Sequence, residues 1–119
     1  MAQSVFDYSD YKAFLRELGD SRPRGFRKAL AEATQCQTAY ISQILNGHYH
    51  LSLEQAEAAT QFLGLSKDEV RCFVLLVEIQ RAGTPSLKQF FLSQLAELRE
   101  RHLMIKERIG VSNLSLIHI

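Results

Sequence analysis

The stretch RKALAEATQCQTAYISQILNG, residues 27–47, limits what this chain can fold into more than any other part of it. Two apolar runs at helical spacing, one holding Leu30 and the other Ile41 and Ile44, are separated by Thr34-Gln35-Cys36-Gln37. Helices this short are unstable alone and must cross closely through a tight turn. A close crossing needs a small side chain, which Ala31 supplies between buried aliphatic neighbours. The second run also has a polar outer face, formed by Thr38, Ala39, Ser42, Gln43 and Asn46. Asn46-Gly47 closes it, and Gly47 suits the left-handed residue that ends many helices.

The rest of the chain is punctuated in the same way. A first helix is expected after Asp7 or Ser9, with Tyr8, Tyr11, Phe14, Leu15 and Leu18 along one face, ending near Gly19-Asp20-Ser21. A second runs from Phe26 to Ala33 and a third opens at Thr38. Ser52 with Gln55, and Ser66 with Glu69, are capping-box pairs that start a fourth helix reaching Leu63 and a fifth reaching about Arg81. Ala82-Gly83-Thr84-Pro85 is the clearest break, and one long amphipathic helix is expected from 86 to 109. Leu, Ala, Gln and Glu are frequent and nothing alternates with a period of two, so the fold class is all-α.

Residues 26–70, through LSLEQAEAATQFLGLSKDEV, resemble the phage-repressor helix-turn-helix family, the Cro/λ-repressor-like or xenobiotic-response-element type. With Tyr11 to Leu18 as a first helix, the arrangement also looks like the N-terminal part of a bacterial family of regulators, in which five helices precede a longer helical domain. That family commonly has Gly in the inter-helix turn, where this chain has Gln35. A left-handed Gln costs about 1 kcal/mol, so the turn remains available. The resemblance implies a five-helix DNA-binding domain over 7–82 that reads the major groove with helix 38–46. By position it implies that Gln37, Thr38, Ala39 and Gln43 approach base edges and that Arg27 and Asn46 touch phosphates. Gln pairs with adenine through two hydrogen bonds, and Thr and Ala contact the thymine methyl.

Charge bears on the same question. The chain carries 14 Lys/Arg and 13 Asp/Glu, so any affinity for phosphates must come from local concentration. Arg22, Arg24, Arg27 and Lys28 lie within seven residues, next to the helix expected to cross the DNA backbone. The recognition helix is uncharged, which implies low affinity per copy and favours a homodimer. Phe91, Leu95, Leu98, His102, Ile105 and Ile109 alternate by fours and threes and form a candidate dimerisation seam on 86–109. The alternative is that this stripe folds back on Val70, Phe73, Val74 and Val77 of its own chain.

Other chemistry is poorly supported. No apolar run is long enough to span a bilayer and no secretion signal is present, so a cytoplasmic protein is expected. Cys36 and Cys72 are far apart and read as reduced thiols. His48 and His50 flank Tyr49 without an acid or thiol to complete a metal site, so no metal or cofactor is expected. This loop is expected instead to reach a phosphate with the Tyr49 hydroxyl or a histidine. No phosphate loop or nucleophile elbow appears, and no catalytic residue is assigned. Residues 110–119, ending VSNLSLIHI, are expected to leave the helix as a tail: a native strand-like end, a non-native end or the start of a further domain. The sequence thus leads to a DNA-binding transcription regulator or its N-terminal part. Its rival is a protein-interaction module that keeps the scaffold without sequence-specific DNA binding.

Overall fold

Side-chain caps set most of the helix starts. In the computed structural model, which describes the backbone of residues 4–22 and 24–115 and side chains to 105, Ser4 caps a single 3-10 turn, Val5–Asp7. Asp10 accepts the Lys12 amide at 2.8 Å and opens α1, Tyr11–Ser21. Then follow α2, Phe26–Ala33, and α3, Thr38–Leu45. Both expected capping boxes form: Ser52 with Gln55 begins α4, Leu53–Leu63, and Ser66 with Glu69 begins α5, Lys67–Arg81. Each box satisfies two backbone donors that the first helical turn leaves open. Pro85 starts α6, Pro85–Ser115, and the Thr84 hydroxyl accepts the Leu87 amide at 3.1 Å. The described residues are helical throughout their regular structure and hold no strand.

One apolar core joins these elements. Tyr11 and Phe14 of α1 meet Phe73 of α5 edge to face, 5.8 and 6.1 Å between centroids, and Leu15 is buried in the same core. Leu30, Ala31, Ile41, Ile44, Leu45, Ala56 and Ala59 close the core from the α2–α4 side. No described helix is long and apolar enough to cross a membrane.

Two expectations about the C-terminal third are corrected. The helix does not stop at 109: it continues to Ser115, because the one glycine in its path, Gly110, costs about 1 kcal/mol and does not end it. Residues 116–119 lie outside the described residues. The stripe expected as a dimer seam is also not left open at the Gly83–Pro85 break. The break reverses the chain, so that α6 packs back along α5, and Leu95 and Leu98 are buried at 3% and 2% exposure. Phe91 packs on the same core, and His102 stacks on Phe6 at 3.8 Å, with the rings 6° from parallel. Four members of the expected dimer seam therefore face their own chain. Ile105 stands exposed, and the Ile109 side chain lies outside the described residues. The reason is proximity: a three-residue turn holds the α6 stripe beside the unfilled face of α5, at a local concentration no second copy can match.

Candidate functional site

The turn between α2 and α3 is closed by a set of local hydrogen bonds. Thr34 Oγ1 donates to the Leu30 and Ala31 carbonyls at 2.8 and 3.2 Å. Gln35 N–H donates to Glu32 O at 3.2 Å and Cys36 N–H to Ala31 O at 2.9 Å. This is the paired closure that needs a left-handed residue, and Gln35 takes it, at φ 59°. The same pattern ends α3, where Gly47 N–H donates to Ile44 O, His48 N–H donates to Gln43 O, and Gly47 lies at φ 95°. Ala31, 1% exposed, sits at the α2–α3 crossing.

On α3, Ile41, Ile44 and Leu45 face the core, while Thr38, Ala39, Gln43 and Asn46 are exposed on the opposite side and Ser42 is half-buried between them. Gln37, exposed, stands at the helix start. Arg22, Arg24, Arg27 and Lys28 are all exposed and gather around an open hollow of about 510 Å³ whose wall includes Thr38 and Arg16. The basic run and the start of α3 thus share one surface. Arg27 Nη1 donates to Ser42 Oγ at 3.2 Å, tying the start of α2 to the middle of α3. Asp20 also lines the hollow and offsets part of its charge. Asn46 lies at the far end of α3, about 12 Å along the axis from Thr38.

The loop after α3 is not free to reach outward as a whole. Lys12, 4% exposed, donates from its ammonium to Tyr49 O at 2.6 Å, and Arg16 donates to Leu45 O at the end of α3. Tyr11 Oη accepts the Leu51 amide at 3.1 Å and lies 3.1 Å from His50 Nδ1, while Arg81 donates to Leu51 O at 3.2 Å. His50 is half-buried with its Nδ1 toward Tyr11, which leaves His48 and Tyr49 as the exposed side chains of the loop. The Tyr49 ring stacks on Tyr40, 5.6 Å between centroids, and stays half exposed, while His48 is exposed beside it. Burial pushes the Tyr11 hydroxyl up to about 12 and lowers the Lys12 ammonium from its ordinary value.

Sequence reasoning missed these α1 contributions. Lys12 and Arg16 lie one turn apart on α1 and reach carbonyls 37 and 29 residues further on. Nothing local encodes such a reach. Cys36 is half-buried with its Sγ 3.0 Å from Thr34 Oγ1, and Cys72 is fully buried, its thiol pushed up to about 11 by burial. Among the described residues no three His, Cys, Asp or Glu side chains converge as a metal site.

No family model matches the chain, and no solved structure matches it. It is similar to the Molecular chaperone MKKS of Mus musculus, 41% identical over 69 residues. Those residues make up 58% of this chain and 11% of that protein, so the chain spans a small part of the relative's length.

Proposed function

We propose that this chain is a double-stranded-DNA-binding transcription regulator, or the N-terminal part of one, which lays α3 in the major groove with α2 crossing the backbone. The reading treats the α2–α4 region as a repressor-like helix-turn-helix. Its main support is a single juxtaposition: the exposed Thr38, Ala39 and Gln43 face beside the hollow ringed by Arg22, Arg24, Arg27 and Lys28. Uncharged side chains with hydrogen-bonding ends suit base edges, and the basic group beside them suits phosphates. Gln37, Thr38, Ala39 and Gln43 take the base-contacting role, and the four basic residues and Asn46 hold the backbone.

The protein-interaction reading has its own support in the outward side chains of α6, where Leu87, Phe90, Leu103 and Met104 are 43–55% exposed. A homodimer that sets two α3 helices on one duplex would draw on these rather than on the buried seam. Selection of bound sites from random duplex DNA at low salt, with the purified chain, separates the readings. Enrichment of a defined motif supports the first, and Gln43→Ala is expected to weaken that site by about 1–3 kcal/mol and relax the preference there. Recovery of no motif, together with no retardation of any duplex at low salt, leaves the interaction module.

A further inference from the structure

Tyr11 is 0% exposed, and its hydroxyl stands at the centre of the contacts that hold the 46–51 loop behind α3. The Leu51 amide can only donate to it, so the hydroxyl's own proton needs an acceptor. His50 Nδ1, 3.1 Å away, is the atom placed to take it. This assigns His50 as the neutral imidazole with its proton on Nε2.

We propose that the Tyr11–His50 pair is an acid-sensitive latch: a proton added at His50 Nδ1 breaks the O–H···N bond and loosens residues 50–51 from Tyr11, while Lys12 still holds Tyr49 O. After protonation two donors, Nδ1–H and the Leu51 N–H, face one buried oxygen whose own proton has no acceptor. Such an arrangement is costly in a dry site. The neighbouring charges act in the same direction. Lys12 from α1 and Arg81 from α5 both oppose a positive charge on His50. Asp10 favours it, but its Oδ1 is already engaged by the Lys12 amide at 2.8 Å and by Gln80 Nε2 at 2.6 Å. Tyr40 from α3 covers the neighbouring Tyr49, Arg16 binds the end of α3, and His48 of the same loop points to solvent. Burial and the two cations together hold the His50 imidazole below its ordinary 6.5. The latch is a property of the folded chain and stands whether or not the chain binds DNA.

The test is heteronuclear NMR of the full chain from about pH 7.5 to 5, reading the His50 ring nitrogens and amide exchange at Leu51. Neutral His50 is expected as the Nε2–H tautomer and to titrate below 6.5. Protection at Leu51, corrected for intrinsic exchange, should fall about tenfold or more with the same midpoint. His50→Gln supplies an acceptor that does not titrate and should keep Leu51 protected across the range. Tyr11→Phe, checked for helicity by circular dichroism, should lower Leu51 protection at every pH and abolish the step. An Nδ1–H tautomer at neutral pH, Leu51 protection that stays flat through the His50 titration, or a pH step that survives in His50→Gln would each overturn the latch.

Discussion

Gln35 occupies a position usually left to glycine. Two other helix ends in this chain, at Gly47 and Gly64, use a left-handed glycine with the same pair of backbone bonds, so the turn geometry is common to all three and only the residue differs. Cβ crowding makes the left-handed region costly for Gln, and the closure bonds and the packing of Ala31 hold it there. Gln35→Gly is therefore expected to raise stability by about 0.5–1 kcal/mol, and Gln35→Val, branched at Cβ, to lower it by about 1–2 kcal/mol. Urea unfolding of the three proteins measures both, and a destabilised Gly variant would refute the account. The two thiols should differ as sharply. Cys72, buried and with its thiol raised to about 11, should resist a thiol reagent in the folded chain, whereas half-buried Cys36 should label first. Mass spectrometry after brief labelling at neutral pH distinguishes them.

At the scale of elements, α6 is part of the folded body over Phe91 to His102, and the side chains of Leu103, Met104 and Ile105 that follow are exposed. Arg99 Nη2 donates to Tyr8 O and the Arg101 guanidinium lies 3.7 Å from Asp68, so polar contacts follow the apolar ones along the same stretch. A carboxylate at Leu98 would be buried without a partner. Leu98→Asp is expected to cost about 3–5 kcal/mol, by the same extent over about a hundredfold range of protein concentration, because the contact lies within one chain. Leu103→Asp, at a 55% exposed position, should change stability by less than about 0.5 kcal/mol. Thermal melts at several concentrations test both. A Leu98→Asp effect that grew or shrank with concentration would return this seam to an intermolecular role. The periodicity of α6 was legible from the sequence and its partner was not, since an apolar stripe records that a face is covered without recording what covers it.

For the whole molecule, a net charge of +1 hides an uneven distribution, with Arg22, Arg24, Arg27 and Lys28 brought to one hollow beside α3. Under the proposed function, neutralising Arg24 and Arg27 should weaken binding to every duplex alike. It should also flatten the salt dependence by about 1 in log–log slope for each phosphate that is no longer neutralised. Fluorescence anisotropy against salt on two unrelated duplexes measures this. Weakening confined to one sequence, with an unchanged slope, would mean that the basic hollow is not the backbone-facing surface.

Helix number, order and most boundaries from α1 to α5 were settled by the sequence itself, because caps, glycines and apolar periodicity act over three or four residues. The exposed face of α3 was equally legible, since Ile41, Ile44 and Leu45 leave the core one direction in which to lie. Tertiary structure alone decided the rest. It forced Gln35 into a conformation its side chain disfavours and folded α6 onto α5 of the same chain. It also turned Tyr11, Lys12 and Arg16 into supports for a loop some 29–40 residues away. Those outcomes depend on which surfaces meet in space, and a short-range pattern carries no information about partners that distant in the chain.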